Sequence, residues 1–179
     1  MSGGPKHAMT PQEFAAAYPK MLDWIHETLA SYRKAARTVA SMRFARLPLY
    51  FGNVLLQDAH YVPINRVPIP PLSTMGLKRF AAFVQGDSDG ITYLNTYFLK
   101  RRHVSNEALH FHELIHVIQW QSLGPERFLK TYAEGLERFG YENSPLEKMA
   151  YEAEDLFKRG RPVFDAKRFV TAQLFRLGA

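Results

Sequence analysis

A pair of histidines four residues apart, with a glutamate beside the first, lies in the apolar segment HFHELIHVIQW (residues 110–120). His112, Glu113 and His116 form the pattern H-E-x-x-H. Residues i and i+4 lie on one face of a helix, so both imidazoles can reach a common ion. Imidazole is a good zinc ligand, and a glutamate at this position can take a proton from a water on the ion. The pattern therefore predicts a catalytic zinc site.

The residues around this motif predict that its helix is buried. Apolar side chains surround the motif on nearly all sides of the helix: Leu109, Phe111, Leu114, Ile115, Val117, Ile118 and Trp120. A helix that is apolar all round belongs in the interior, where polar groups are costly unless something pairs with them. A zinc ion would satisfy both histidines at once. The alternative is that they are core histidines with local hydrogen bonds.

A catalytic zinc site needs a third protein ligand, and the neighbouring histidines are poor candidates. The chain has no cysteine, so the ligand must be a histidine, an aspartate or a glutamate. His110 lies about 200° around the helix from His112 and points away. His103 precedes the helix and can reach the site only if the chain folds back. The search therefore moves downstream, to the glutamates.

Several glutamates follow the motif, and helical geometry ranks them. Glu134 lies nearly opposite the apolar face of its own predicted helix. Glu147 lies one step off the apolar stripe of the next helix, where it can face a packed neighbour. The other interpretation of Glu147 is that it completes a capping box that begins at Ser144. Glu152 and Glu154, on the flanks of the same helix, are alternative ligands.

Composition restricts the class of protein. The chain has 179 residues, of which 46% are hydrophobic and 13% aromatic. These values predict one globular domain over residues 11–179 after a flexible N-terminus at residues 1–10. The absence of cysteine excludes disulfides, thiolate metal sites and a cysteine nucleophile. No run of about 18 apolar residues and no signal-peptide core is present, so we predict a cytoplasmic protein.

The net charge of +6 is unevenly distributed. Five basic residues fall in one stretch that contains no acid: Arg33, Lys34, Arg37, Arg43 and Arg46. One interpretation is the solvated face of a helix. The other is a patch for an acidic partner such as nucleic acid or an anionic membrane surface, although no nucleic-acid-binding motif supports it.

The first half of the chain is predicted to contain helices and a sparse sheet. A capping box at Thr10 begins a helix that Pro19 ends or kinks. Helical spacing from Leu22 to Val39 predicts a long amphipathic helix that stops before Pro48. Residues 47–77 are rich in proline, which predicts irregular structure with one short strand near residues 61–69. Residues 80–85 and 91–99, separated by GDSDG, predict a β-hairpin.

The second half of the chain is predicted to be helical. One helix begins at Ser105 or Asn106 and reaches about Ser122, and Gly124-Pro125 separates it from a second that ends at Gly140. A third begins after Ser144 and stops near Gly160, and a short helix follows it. Together these elements predict an α+β domain.

A resemblance to a known family rests on four stretches: ITYLNTYFLKRRHVSNEALHFHELIHVIQW, LG, FLKTYAEG and NSPLEKMAYE. Over roughly residues 47–157 the chain resembles a group of small, mostly uncharacterised bacterial metallopeptidases of the gluzincin type. In that type a glutamate from a later helix, often in the pattern E-x-x-A-D, is the third zinc ligand. The resemblance implies Zn²⁺ held by His112, His116 and Glu147. It also implies a zincin-like fold, with a short antiparallel sheet, a buried active-site helix and flanking helices.

The chain departs from this family pattern at one position. Residues 147–151 read EKMAY, so that Tyr151 replaces the aspartate. In gluzincins that aspartate supports a ligand histidine, and such partners orient the ligand. We expect Tyr151 itself or Glu154 to take this role.

The resemblance also implies a mechanism. A zinc-activated water would attack a peptide or related acyl bond of a peptide or protein substrate, with Glu113 as general base. Tyr93, Tyr97 and Tyr141 are candidate donors to the oxyanion. In zincins the strand before the active-site helix often pairs with extended substrate, a place that residues 91–99 occupy here.

Two other functions remain open. One is a catalytically idle domain in which zinc stabilises the fold. The other is a metal-free interaction module that uses the basic helix.

Overall fold

Five helices and a four-stranded sheet make up the part of the chain that the computed structural model describes, residues 9–81, 88–160 and 162–178. The helices are α1 (Pro11–Tyr32), α2 (Leu47–Asp58), α3 (Glu107–Phe139), α4 (Pro145–Lys158) and α5 (Ala166–Leu177). The strands are β1 (Arg37–Thr38), β2 (His60–Ile64), β3 (Gly90–Tyr93) and β4 (Thr96–Lys100). The predicted α+β class is confirmed.

The sheet is mixed, with the strand order β1-β2-β4-β3. β1 is antiparallel to β2 and β3 is antiparallel to β4, whereas β2 and β4 are parallel, with Tyr61 opposite Tyr97. The prediction of a purely antiparallel sheet was therefore wrong. Parallel neighbours need a long connection, and residues 65–95, which include β3, separate β2 from β4. They allow β4 to enter the sheet beside β2 in the same direction.

A hairpin forms within residues 90–100, inside the segment that was expected to be a single strand at residues 91–99. β3 and β4 are joined through Leu94 and Asn95, and Leu94 has a φ of 56°. Turns usually give this conformation to glycine or asparagine, so a leucine there concealed the turn from the sequence pattern. Phe80 ends a short 3₁₀ turn. The expected first strand was residues 80–85, of which residues 82–85 lie outside the described residues.

Helix α1 begins as predicted but ends earlier. Thr10 accepts a hydrogen bond from the Glu13 backbone, and the Glu13 carboxylate accepts one from the Thr10 backbone, which completes the capping box. The helix continues through Pro19, so the predicted break was wrong. It ends at Tyr32, so the long helix up to Pro48 was also wrong. Val39, whose spacing suggested that helix, is instead buried from a 3₁₀ turn.

The proline-rich segment 47–77 is helical in its first part. α2 begins at Leu47 with Pro48 in its first turn, a position where the missing N–H costs nothing. The prediction of irregular structure was wrong for residues 47–58. β2 overlaps only the beginning of the strand predicted near residues 61–69.

The five basic residues between 33 and 46 do not share a helix face. Arg33 caps the end of α1, Arg37 lies in β1 and Arg43 follows a 3₁₀ turn. Arg46 donates to the Phe157 carbonyl, and its guanidinium lies 3.8 Å from the centre of the Phe157 ring. The predicted basic helix is therefore absent, and one of its charges is used inside the fold.

The long helix α3 passes through the interior and holds the H-E-x-x-H motif. The Asn106 side chain caps its first turn, as predicted. It bends at Gly124, where φ is 73° and Pro125 follows, and it ends before Gly140. The main apolar core contains residues of all five helices and of the sheet. No helix in the described ranges is long and apolar enough to cross a bilayer.

A second apolar cluster joins α1 to the segment that follows β2. Its members are Phe14, Ala17, Met21, Leu72, Met75, Leu77 and Phe80. Near it, Met9 donates its backbone N–H to the Glu137 carboxylate at 2.7 Å. Residues 1–8, where most of the flexible N-terminus was predicted, lie outside the described residues.

Candidate metal centre

Three buried side chains from two helices meet at one point. His112 and His116 project from α3, and Glu147 projects from α4, which packs against it. The two Nε2 atoms are 3.1 Å apart, and Glu147 Oε2 lies 3.5 Å from Nε2 of His112 and 3.4 Å from Nε2 of His116. We call His112, His116 and Glu147 the triad. The structure brings together the ligand set that the resemblance implies.

The dimensions of the triad match a tetrahedral zinc site. Ligands at about 2.0–2.1 Å from zinc, separated by tetrahedral angles, lie roughly 3.3 Å from one another. The three donor–donor distances of 3.1, 3.4 and 3.5 Å bracket this value. An ion at about 2 Å from each atom therefore fits without moving any of them.

Hydrogen bonds on the far side of each imidazole fix its orientation. His112 Nδ1 lies 3.1 Å from the Glu154 carboxylate, and His116 Nδ1 lies 2.7 Å from Gln119 Oε1. Both partners are acceptors, so each Nδ1 carries a proton and each Nε2 faces the other triad atoms, with a lone pair whenever the imidazole is neutral. The amide of Gln119 is itself oriented, because its nitrogen donates to the Leu146 carbonyl at 2.9 Å.

Glu147 is held so that only one oxygen faces the imidazoles. Tyr132 donates to Oε1 at 2.8 Å, whereas Oε2 is buried and makes no hydrogen bond. Ser144 forms no side-chain cap on α4, so the alternative in which Glu147 serves a capping box does not hold. When both imidazoles are neutral, three acceptor atoms therefore face one another in the interior with no donor between them. Such an arrangement is costly unless a cation or a proton lies at its centre.

The electrostatics of the triad favour positive charge at that centre. Burial opposes charge on His112, but the Glu147 and Glu154 carboxylates outweigh it and raise the pKa of His112 to about 10. Burial likewise opposes charge on Glu147, and the imidazoles of His116 and His112 outweigh it and lower the pKa of that carboxyl well below its usual range. In the metal-free protein a proton on His112 supplies this positive charge, and a bound divalent cation would displace the proton.

Glu113 lies beside the triad, in a space that depends on a glycine. Its carboxylate accepts a hydrogen bond from Thr92 at 2.6 Å. A Cβ on Gly90 would lie 2.3 Å from Oε1 of Glu113, closer than real contacts allow, so any side chain at this position would force Glu113 to move. Burial raises the pKa of Glu113, although the charges of His112 and His116 oppose the shift. β3 thus positions the predicted general base through the Thr92 hydroxyl and through the space at Gly90.

A cavity of about 710 Å³ opens onto the triad and Glu113. Its size falls in the range of small-ligand and substrate sites. Residues 90–93 of β3 line one side, and Tyr141 and Tyr151 line another. Tyr151, which replaces the family's aspartate, packs against the His112 ring with centroids 4.6 Å apart. Glu154 supports His112 instead, which is one of the two expected solutions.

The structure places the other candidate ligands away from the triad. His110 is a core histidine: Tyr97 donates to its Nδ1 at 2.6 Å, and its Nε2 donates to the Val104 carbonyl at 2.8 Å. His103 pairs with Asp89. Glu134 and Glu152 are exposed.

The three tyrosines proposed as oxyanion donors differ in their access to the cleft. Tyr97 is fully buried and bonded to His110, so it has no access to the cleft. Tyr93 lines the cavity, but its hydroxyl already donates to the Pro68 carbonyl at 2.8 Å. Tyr141 also lines the cavity and remains the best placed of the three.

Sequence reasoning missed Gln119 and Tyr132 as supporting residues. The sequence does contain a signal for Gln119, which lies three positions after His116 on the same face of an apolar helix. A polar residue buried there needs a hydrogen-bond partner, and His116 is within reach. Tyr132 carried no such signal, since its ring belongs to the apolar stripe of its helix and only the packing of α4 reveals its hydroxyl contact.

Comparison of the chain with protein-family models, with curated proteins and with solved structures gives no match. The resemblance to gluzincin metallopeptidases therefore stays a prediction. The case for a function depends on the geometry of the triad, of Glu113 and of the cleft.

Proposed function

We propose that this protein is a zinc-dependent hydrolase of the gluzincin type, with a zincin-like fold, that cleaves peptide or related acyl bonds. The observation that carries the proposal is the triad itself: three buried ligand atoms at tetrahedral spacing, each on a side chain that a second residue orients. Glu113, the cleft and the edge strand β3 then supply the parts that hydrolysis needs.

The donor set supports zinc over the hard cations. Two imidazole nitrogens and one carboxylate oxygen suit Zn²⁺, whereas Mg²⁺ and Ca²⁺ prefer oxygen ligands alone. Three protein ligands leave a fourth position for water or substrate, which is typical of catalytic rather than structural zinc. When bound, zinc lowers the pKa of water to near 7 and polarises a carbonyl group.

The protein's own residues supply the proton transfers. Glu113 is within the cleft and is kept in one orientation by Thr92 and by the space above Gly90. A buried carboxylate with a raised pKa is a good general base near neutral pH, because it accepts the proton of the attacking water and returns it to the leaving group. The Tyr141 hydroxyl is the candidate donor to the developing oxyanion.

The position of β3 suggests how a substrate is held. Within the described sheet β3 is an edge strand, and residues 90–93 line the cleft. An extended peptide can add to such an edge through main-chain hydrogen bonds. A peptide or protein is therefore the substrate class that we propose.

One observation favours a second function, in which zinc only stabilises the fold. The triad joins α3 to α4, the pair of elements that pack most extensively in the described structure. An ion there would crosslink the two helices whether or not any bond is cleaved. A purely structural ion requires neither the open cleft nor the placement of Glu113 beside the triad.

The decisive experiment combines metal content with a Glu113→Gln variant. Protein purified without added metal is analysed by mass spectrometry of its metals and then incubated with a complex peptide mixture, whose new termini are identified. We expect about one zinc per chain, cleavage by the parent protein, and no cleavage by Glu113→Gln with its zinc retained. Glu152→Gln, a matched change at an exposed glutamate of α4, should leave both properties unchanged. Absence of stoichiometric metal, or full activity of Glu113→Gln, would refute the proposal.

A further inference from the structure

The cleft has two chemically different parts. Its polar part contains the triad, Glu113 and Glu154. Its other part, which we call the apolar chamber, is lined by Met21, Leu72, Leu77, Phe80, Leu129 and Leu136. Four of these six residues belong to the second apolar cluster, whereas Leu129 and Leu136 come from α3. The chamber therefore lies between the second half of α3 on one side and α1 with residues 72–80 on the other.

A ladder of three stacked rings connects the apolar chamber to the polar part. Trp120 stacks on Phe128 with centroids 3.9 Å apart, and Phe128 stacks on Tyr132 at 5.8 Å. The Trp120 indole donates to the Thr92 carbonyl of β3 at 3.2 Å, and the Tyr132 hydroxyl donates to Glu147. All three rings line the cleft. The chamber is thus continuous with both the edge strand and the triad.

The walls of the chamber touch where Leu129 and Ala133 of α3 contact the second apolar cluster, and elsewhere they face the open space of the cleft. The second apolar cluster lies on one side and the ring ladder, part of the main core, on the other. Apolar walls that face an unfilled space lose the contacts that a close-packed interior provides. An apolar group that enters such a space gains both burial and these contacts.

We infer that the apolar chamber is the specificity subsite of the cleft, and that it binds a bulky apolar amino-acid side chain, such as phenylalanine, leucine or methionine, of an extended peptide. The edge strand favours a peptide as the ligand, because residues 90–93 line the cleft and an extended peptide can pair with an edge strand. The inference rests on the proposed function for the bond that is cleaved. Binding of the side chain itself needs no ion.

Ala133 provides a way to close the chamber. It lies on α3, lines the cleft and packs against the second apolar cluster. A phenylalanine at this position would occupy the space of the ligand side chain, while the triad and Glu113 keep their residues. Ala172, an exposed alanine of α5, provides the matched control for the same substitution.

The test measures binding to metal-free protein, so that it does not depend on catalysis. Three blocked tripeptides, acetyl-Ala-Phe-Ala-amide, acetyl-Ala-Ala-Ala-amide and acetyl-Ala-Glu-Ala-amide, are titrated into the parent protein and followed by NMR chemical shifts. We expect the phenylalanine peptide to bind at least about 10-fold more tightly than the alanine peptide, the discrimination that a few buried carbon atoms provide. The shifts should centre on methyl groups of the chamber.

The variants then locate the site. Ala133→Phe should weaken the phenylalanine peptide by at least about 10-fold and leave zinc content unchanged, whereas Ala172→Phe should bind like the parent. Ala133→Leu, a smaller filling change, gives an intermediate loss and serves if the phenylalanine variant does not fold. Equal affinities of the three tripeptides, or unaltered binding by a folded position-133 variant, would overturn the inference. Tighter binding of octanoate than of the phenylalanine peptide would also overturn it in favour of an acyl-chain ligand.

The two proposals fail in different ways. If the chamber binds apolar peptides and the zinc-loaded protein cleaves none, the proposed hydrolase function fails and the subsite stands. If the zinc-loaded protein cleaves peptides without preference for an apolar residue, and the metal-free protein does not select the phenylalanine peptide, the subsite fails and the hydrolase stands.

Discussion

The dependence of Glu113 on the absence of a side chain at Gly90 gives a prediction that needs no substrate. Ala at position 90 would place its Cβ 2.3 Å from Glu113 Oε1, 2.9 Å from Glu113 Cδ and 2.9 Å from a methyl group of Leu99. The backbone of Gly90 is not among those with a positive φ. Any loss in Gly90→Ala therefore comes from the clash and not from backbone strain.

The magnitude follows from these distances. The Cβ and the carboxylate oxygen must separate by about 1 Å to reach ordinary van der Waals contact. Overpacking of this kind costs about 1–3 kcal/mol, which lowers the midpoint of thermal unfolding by roughly 2–12 °C in a chain of this size. If Glu113 is the general base, a displacement of about 1 Å should also reduce kcat on the order of 100-fold.

A double-mutant cycle provides the assay. The free energy of unfolding is measured for the parent, Gly90→Ala, Glu113→Ala and the double variant, all metal-free. In the Glu113→Ala background two of the three short contacts are gone, so Gly90→Ala should cost less than half as much as it does in the parent. An equal cost in both backgrounds would show that the Glu113 carboxylate does not lie against Gly90, and it would refute the description of how β3 positions this residue.

Four further predictions concern the triad. Glu154→Ala should weaken zinc binding by about 10–100-fold in competition with a chromophoric chelator, because His112 loses the partner that orients it, and Glu152→Ala at an exposed site should not. Tyr132→Phe should also weaken zinc binding by about 10-fold, because Oε1 of Glu147 loses its hydrogen bond. The visible spectrum of the cobalt-substituted protein should change as well. An unchanged spectrum and an unchanged affinity would exclude a role of Tyr132 in positioning Glu147. For protein that held free zinc at 100–1,000 times the dissociation constant, chelation should lower the free energy of unfolding by about 3–4 kcal/mol. The loss is measured as a fall in the unfolding midpoint, which added zinc should reverse and added magnesium should not. Replacement of all three triad residues by apolar residues of similar volume should stabilise the metal-free protein by about 1–4 kcal/mol, whereas a lower midpoint than the metal-free parent would show that the triad stabilises the fold by itself.

The helix that carries the motif could be predicted because several local signals agree on it. The Asn106 cap, the continuous apolar surface around the motif and the Gly124-Pro125 bend are all present in the sequence and all appear in α3. The same agreement predicted α4 from Pro145 onward. Local signals are sufficient when packing does not overrule them.

The errors occur where one strong local signal was overruled by tertiary structure. Prolines between residues 47 and 77 suggested irregular chain, yet Pro48 occupies the one helical position that tolerates it. Helical spacing continued from Leu22 to Val39 because both the helix and the following 3₁₀ turn bury apolar residues in the same core. The turn at Leu94 left no glycine to reveal it.

The candidate site shows the same division between local and distant contacts. The two histidines and Glu113 come from one helical turn, so spacing alone placed them together. Glu147 was identified through the family resemblance. Glu154 was one of the two residues expected to support a ligand histidine, and the packing of α4 on α3 decides in its favour. Tyr132 could be found only when that packing was known.

The energetics of the triad argue that its residues are retained for a ligand and not for the fold. Two imidazoles, Glu147, Glu113 and the carboxylate of Glu154 share a small volume of the interior, where apolar residues of equal size would pack at lower cost. Both imidazoles and Glu147 are nevertheless each oriented by a hydrogen bond on the side away from the centre. Three ligand atoms whose directions are fixed around one point are what a bound cation would require, and the cleft beside them would give a substrate access to that cation.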